Sequence, residues 1–526
     1  FDGVGEIEIV DDDLGTAASQ KRVLGALYLG ARTAFYHVIA GGFSRAKILH
    51  VQCVDDNGMW EDPTICKLSP SDLLRAEADA HATFARYIGE SVPQRLGEPI
   101  CIDEIGGMVL ELVGACWRVP ELAHAPAHLS NTLADVFKHD SDHAADRDDE
   151  RGRDRPVFGE VRIVVDEVFL GQLHTVVVQS AHREPGESLA HHYGLPAKVG
   201  RLLGRSDVSL PPPTRAALEA LDAALQSCGE YAGPPGYGGP WFSIVHGDLH
   251  GGNIMVDSRS YAWLIDYGEV EDAHVFKDPA KLESCILYIY TTLPIPPALL
   301  ATAAPHELRW WLGVPEAVTA ALAAAAAALA PAALTLEALP ELLKRACAAA
   351  GAAGARVVVD EVLLRFASEE ECEAEVRQAE EMVGLLLPCR DLSTHASYSA
   401  PPPFVTSERL KLCWEHVAQV RGLLPHSYCR PHKAEGHAFD SHPFQYATAL
   451  FYFALKMATQ YREPNPYSRR LAVASLTRLA SYLTEWLHGR EVALPADAAA
   501  FAAGGARGAP RPYRLAYALG QRLCFV

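Results

Sequence analysis

The chain of 526 residues has no CxxC pair, and its 12 cysteines are scattered from Cys53 to Cys524. That scatter disfavours a paired-thiolate zinc site and a disulfide framework, so the thiols read as reduced, mostly buried groups of a cytoplasmic protein. Positive charge is short as well. Lys and Arg number 46 against 66 Asp and Glu, a formal net charge of -20, which opposes generic attraction to nucleic acid or to an anionic membrane. A local basic pocket for a phosphorylated ligand remains compatible with that balance. Long hydrophobic runs are also missing. Nothing approaches the roughly 18 uninterrupted apolar residues of a membrane span except the alanine tract near 317–334, which is weakly hydrophobic and contains Pro331. No fixed-period repeat suggests a solenoid. The first residue is Phe1 rather than Met, which leaves room for a fragment, a processed form or a lost targeting segment.

What is present is ordinary globular material, 49% hydrophobic and 21% charged, enough for a large core and for two to four domains by size. After an acidic start, HVIAGGFSRAKILHVQCV (37–54) reads as two strands around Gly41 and Gly42, and DPTICKL (62–68) as a third. SPSDLLRAEADAHATFARYIG (69–89) reads as a helix capped by Ser69, with Pro70 in its first turn. Its inward stripe is Leu74, Ala78, His81, Ala85 and Ile88, with Glu77 beside it. CIDEIGGMVLELVGACW (101–117) reads as two strands joined at Gly106 and Gly107. Strands, one helix and two more strands make a small α+β unit. Residues 139–155 are a charged, solvated insertion, and VRIVVDEVFLGQLHTVVVQSA is either strand or buried helix. A helix follows PPPT (211–214), and beyond 280 the pattern is helical nearly throughout, including the Ala-rich 317–354, with a break at PPPF (401–404).

The densest chemistry lies in WFSIVHGDLHGGNIMV and, shortly after it, AWLIDYGEV. Two short apolar strands each deliver a polar cluster at a turn. Asp248 is followed by Asn253 after 5 residues and by Asp266 after 18. An acid, an amide and a second acid on neighbouring strand ends can share work on one metal-bound anion. That order resembles the catalytic loop of phosphoryl-transfer enzymes with a kinase-like fold, which implies Asp248 as base and Asn253 and Asp266 as oxygen ligands for Mg²⁺. His246 reads as a buried scaffold of the loop, and His250 either faces an acceptor or is inert. Four histidines, His124 with His128 and His139 with His143, have i, i+4 spacing. With no HExxH and with Pro126 inside the first pair, zinc is disfavoured.

HGDLHGGN resembles the H-G-D-x-x-x-x-N loop of the aminoglycoside phosphotransferase and choline kinase superfamily, and IDYGE is similar to its metal-binding strand. GGFSRA, KLSPSDLLRAEADAH and KDPAKLE further resemble phosphotransferase-like domains described as ternary-complex-associated, over roughly residues 35–290. The resemblance implies an α+β, bilobal protein-kinase-like fold. Its small N-lobe would hold an antiparallel sheet and one helix, and its large C-lobe would be mainly helical with a helical extension. The implied boundaries are 20–115, 116–390 and 391–526. It also implies that Lys67 neutralises phosphate and that Glu77 holds Lys67. Gly41 and Gly42 would cover the nucleotide, while Glu111 and Val113, in the ELVG segment between lobes, would offer it backbone groups. Asp278 and Glu283 in KDPAKLE read as helix start and fold support.

There are departures from the pattern. GGFSRA is not G-x-G-x-x-G, and Arg45 stands where a small residue is common. The stretch from Gly268 to Asp278 is too short for a protein-kinase activation segment and lacks A-P-E, which favours a small-molecule acceptor over a protein. The expectation is an ATP- and Mg²⁺-dependent phosphotransferase acting on a hydroxyl, with a possible protein partner on the C-terminal helices. The alternative is a non-catalytic scaffold of the same fold acting through those helices.

Overall fold

The structure is a computed structural model. It describes residues 8–11, 18–38, 46–88, 92–113, 131–134, 137, 165, 168, 172–183, 188–205, 210–227, 239–256, 261–351, 359, 362–386, 400–427 and 442–488. Gly41, Gly42, the charged insertion and both spaced histidine pairs lie outside these residues.

The first lobe is built on one sheet of six strands: β1 (Glu8–Asp11), β2 (Thr33–Val38), β3 (Lys47–Val54), β4 (Thr64–Pro70), β5 (Ile100–Ile102) and β6 (Ile105–Glu111). Their spatial order is β1-β2-β3-β4-β6-β5. The pairings from β2 to β5 are antiparallel as expected, whereas β1, from the acidic N-terminal stretch, adds a parallel edge.

Two helices cover the sheet. Side chains alternate across a strand, so Cys66 and Leu68 of β4 point to one face and Lys67 to the other. Helix α1 (Ala18–Leu27) closes the first face, where Val23 and Leu24 pack with Leu49, Val51, Cys66 and Leu68. Helix α2 (Ser71–Ile88) closes the second, where Leu74 and Ala78 meet Met108, the cross-strand partner of Lys67.

Two boundaries differ from the sequence reading. The β4–β6 ladder continues through Ser69 and Pro70, paired with Gly106 and Ile105, so α2 begins at Ser71 and the expected cap at Ser69 is spent in the sheet. The turn between β5 and β6 lies at Asp103 and Glu104, with Asp103 in the left-handed region at φ 56°, and not at Gly106 and Gly107. Those glycines sit inside β6 because both helices press on it. A Cβ on Gly106 would lie 2.7 Å from Leu74 Cδ2, and one on Gly107 would lie 2.6 Å from Val23 Cγ1.

The second lobe is mainly helical. The ambiguous apolar run before residue 181 contains helix α3 (His174–Ser180). Helix α4 (Pro212–Ser227) starts inside the PPPT punctuation, since Pro is tolerated in a first turn. Two three-stranded sheets carry the polar clusters. Strand β9 (Trp241–Val245) lies between β8 (His182–Arg183) and β12 (Glu271–His274), and β10 (Ile254–Val256) lies between β7 (Asn131–Thr132) and β11 (Ala262–Leu264). Helix α5 (Lys277–Cys285) continues into a wide π turn at Ile286–Tyr290.

The Ala-rich tract forms two helices, α6 (Glu316–Ala327) and α7 (Leu339–Ala349), around a satellite core with Leu308 and Trp311. Helices α8 (Glu369–Leu386), α9 (Glu408–Ser427), α10 (His442–Thr459) and α11 (Pro466–Leu487) share one core with α5, so Phe276 and Leu282 pack in the same cluster as Trp414, Phe451 and Leu476. A mixed α/β lobe carrying Lys67 and Glu77, set against a mainly helical one, is the bilobal kinase-like arrangement. No single described helix is long and apolar enough to cross a membrane.

Candidate active site

The candidate residues come from β4 and α2 of the first lobe and from the turns that flank β9, β10 and β11 of the second. Lys67, in the middle of β4, is only 5% exposed, and its ammonium donates to Glu77 Oε1 at 2.5 Å and to Asp266 Oδ1 at 2.8 Å. Glu77 belongs to α2 of the first lobe and Asp266 follows β11 of the second, so one lysine ties two lobes. Burial pulls the Lys67 pKa down, but Asp266 and Glu77 outweigh it and raise it, so the ammonium stays charged. Burial likewise pushes Glu77 up, against the opposing pull of Lys67.

Aromatic packing fixes this geometry from behind. Tyr267, next to Asp266 and 3% exposed, packs edge-on against His81 at 5.0 Å and lies 5.6 Å from Phe84, both on α2. It is also 5.5 Å from the ring of His246. The helix bearing Glu77 is thereby clamped to the turn bearing Asp266. Asp266 itself holds φ 63°, a conformation that Asp tolerates better than most residues and that marks a constrained turn.

The second cluster comes from the segment after β9. His246 is fully buried, and its Nε2 lies 2.9 Å from the carbonyl of Ile265, as expected of a scaffold. The backbone N–H groups of His246 and Gly247 donate to the two carboxylate oxygens of Asp278 at 2.8 and 2.9 Å. Asp278 therefore does more than begin a helix. It lies in the first turn of α5 and holds the loop that presents Asp248. Gly247 is required there, because at φ 83° an added Cβ would fall 1.8 Å from the carbonyl oxygen of Glu269. The Gly251 N–H donates to the Tyr290 hydroxyl at 2.7 Å, so the π turn after α5 braces the far side of the loop.

Asn253 and Asp266 are neighbours by register. Strands β10 and β11 pair Ile254 with Leu264, which sets Asn253 just before one strand beside Ile265 and Asp266 just after the other. The Ile265 N–H donates to the Asn253 carbonyl at 3.0 Å. The Asn253 amide nitrogen donates to the carbonyl of Asp248 at 3.0 Å, which commits its donor to the loop. Its amide oxygen makes no hydrogen bond among the described residues. Asp266 is 40% exposed at its side chain and opens onto solvent.

A hard cation with oxygen preference suits such a pair, which leaves room for phosphate oxygens and water. Among the described residues no group of three or more His, Cys, Asp and Glu is placed to hold a metal.

Asp248 is held by partners that the sequence reading did not assign. Its Oδ1 lies 2.9 Å from Lys281 Nζ and its Oδ2 lies 3.5 Å from His250 Nε2. Burial opposes ionisation of Asp248, yet the His250 ring and the Lys281 ammonium outweigh it and hold the carboxyl well below the usual range. Lys281 also donates to the Tyr461 hydroxyl at 2.9 Å, which brings helical chain from beyond residue 391 to the edge of the site. KDPAKLE was legible as a motif, but Lys281 received no role because nothing in its spacing points at Asp248.

Other expected residues fall at the margins. Glu111 ends β6, and its N–H donates to the carbonyl of Gln94 at 2.8 Å. Val113 is 7% exposed beyond it. Glu283 is fully buried and receives Arg421 at 2.5 Å and the Tyr446 hydroxyl at 2.5 Å. It joins α5 to α9 and α10, which makes its supporting role concrete. Every described cysteine is a free thiol.

Residues 142–376 match the family model described as Ternary complex associated domain 9. This stretch contains HGDLHGGN, IDYGE and KDPAKLE, while Lys67 and Glu77 lie upstream of it. No curated protein matches the chain. Among solved structures, the chain is similar to a thermostable mutant of the aminoglycoside phosphotransferase APH(4)-Ia in complex with ADP and hygromycin B. Identity is 11%, coverage is 62% of this chain and 93% of that one, and the TM-score is 0.29. A macrolide 2'-phosphotransferase from Brachybacterium faecium matches at 15% identity, 47% and 69% coverage and TM-score 0.26. An ethanolamine kinase of Plasmodium vivax matches at 12%, 64% and 81%, and 0.22.

Proposed function

We propose that this protein is an ATP-dependent phosphotransferase that moves the γ-phosphoryl group to a hydroxyl of a small molecule. The observation that carries the reading is the Lys67 ammonium shared between Glu77 of one lobe and Asp266 of the other, with Asn253 set near Asp266 by strand register and hydrogen-bonded to the Asp248 carbonyl. A scaffold would have no need to bury a lysine between two carboxylates contributed by separate elements, since burying charge costs free energy that packing alone does not return.

In this reading Lys67 neutralises phosphate oxygens, and Glu77 keeps it aimed. Asn253 and Asp266 would hold Mg²⁺, which when bound supplies neutralisation of the nucleotide's phosphate charge. Asp248 accepts the hydrogen bond of the acceptor hydroxyl and orients it towards phosphorus. A carboxylate held so firmly ionised is a weak proton acceptor, so orientation is its main contribution and proton uptake comes late. Positioning and electrostatics supply most of the rate, as is usual for phosphoryl transfer.

The test is nucleotide binding by calorimetry with and without Mg²⁺, paired with ADP release. Mg²⁺-dependent ATP binding that is lost in Asp266→Ala, together with slow ADP release that is lost in Asp248→Asn, is the expected result. Absence of binding at millimolar ATP would overturn the reading in favour of a scaffold.

A further inference from the structure

Beside Asp248 lies an open cavity of about 310 Å³, lined by Gly247, Asp248, Glu269, Lys277, Lys281, Tyr452, Phe453 and Lys456. It is the space an acceptor would enter, because it is the cavity that Asp248 borders. Its lining is unusual for a site meant to hold an amino alcohol or an aminoglycoside. Aromatic faces attract ammonium groups, and here they are already taken by the chain's own lysines. Lys281 Nζ lies 5.0 Å from the ring centre of Tyr461 and 5.7 Å from that of Phe453. Lys456 Nζ lies 4.8 Å from Tyr452, and Lys198 Nζ lies 5.1 Å from the same ring.

The charges around the cavity are unevenly matched. Lys281 is paired with Asp248, and Lys277 with Glu271. Glu269 stands exposed on the rim. Lys456, half-buried on α10, has no carboxylate partner among the described residues, and neither has Lys198, which donates to the Tyr193 carbonyl at 2.6 Å. An entering ammonium would have to displace or lie against these cations. An entering anion would meet Lys456, which is held over the Tyr452 ring and has no carboxylate partner among the described residues.

We infer that the acceptor is an anionic alcohol, a hydroxyl compound carrying a phosphate or carboxylate group that Lys456 engages while its hydroxyl faces Asp248. This rests on the reading of the cleft as a phosphoryl-transfer site and narrows its substrate class. In the transfer the acceptor O–H bond breaks, its proton passes to Asp248 and then to solvent, and an O–P bond forms at the γ-phosphorus. The bond from that phosphorus to the β,γ-bridging oxygen breaks, and its electron pair leaves with ADP. No further reactant is needed.

Inorganic phosphate is the first probe, titrated calorimetrically into the full chain with saturating ADP and Mg²⁺ and again without nucleotide. Phosphate should bind, Lys456→Met should weaken it at least tenfold, Lys456→Arg should restore it, and choline should give no heat. Glycerol 3-phosphate and glycerate, used as competitors, separate phosphate from carboxylate preference. Circular dichroism of Lys456→Met should match that of the parent. Absence of phosphate binding, binding indifferent to Lys456→Met, or tighter binding of choline than of either anion overturns the inference. Failure of ADP to bind, with phosphate binding intact and sensitive to Lys456, would sink the phosphoryl-transfer reading and leave the anion site standing.

Discussion

Lys281, together with His250, holds the charge of a loop to which the lysine does not belong. It lies 33 positions beyond Asp248 in sequence and 2.9 Å from it in space. The lowered Asp248 pKa means that its ionised contribution is complete above the ordinary carboxylate value of about 4 and is lost only as pH falls through the lower folded value. The raised Lys281 pKa means that its contribution is complete below the ordinary value of about 10.4 and is lost only as pH rises through the higher folded value. Between those limits the pair stays ionised. Activity should therefore show no Asp248 limb near neutrality. In Lys281→Met the acid limb of kcat/KM should move up by roughly 1 to 3 pH units, and a pH–rate profile in which it stays fixed would show that the ion pair does not control Asp248.

At the scale of elements, β6 explains why two glycines sit side by side in a strand. Gly106 faces α2 and Gly107 faces α1, and each lets a helix approach closer than any side chain would permit. Gly107→Ala should overpack Val23, Leu27 and Leu68 and cost about 1 to 3 kcal/mol, read as a lower midpoint in urea unfolding with unchanged slope. A neutral result would mean that α1 yields without loss. Sequence reasoning located these strands but placed their turn at the glycine pair, because Gly-Gly between apolar runs is the ordinary signature of a turn. Nothing local distinguishes a glycine needed for φ from one needed for clearance. The same limit applies to Ser69, whose capping chemistry was legible but whose backbone was already committed to the β4–β6 ladder.

Across the whole molecule, the C-terminal helices are part of the site's foundation. Arg421 of α9 is 1% exposed and pairs with Glu283 of α5, the same helix whose Asp278 holds the loop and whose Lys281 holds Asp248. Arg421→Met would leave Glu283 buried with the Tyr446 hydroxyl as its hydrogen-bond donor among the described residues. Removing one partner of a buried pair costs about 3 to 5 kcal/mol, so the variant should melt well below the parent by calorimetry. A melt that matched the parent would show that the α5–α9 junction tolerates an uncompensated charge.

The sequence by itself determined the candidate residues and their order: Lys67, Glu77, Asp248, Asn253 and Asp266, each in or next to an apolar strand or beside the inward stripe of a helix. Such positions are readable because periodicity and turn residues are local. The tertiary structure decided which of those groups touch, that Lys67 serves two carboxylates, that Asp278 holds a loop rather than merely starting a helix, and that Lys281 and Lys456 line one cavity with Asp248, Tyr452 and Phe453. Those relations join residues separated by up to about two hundred positions. They depend on how lobes and helices pack, and one strand's pattern carries no record of the partner that will close against it.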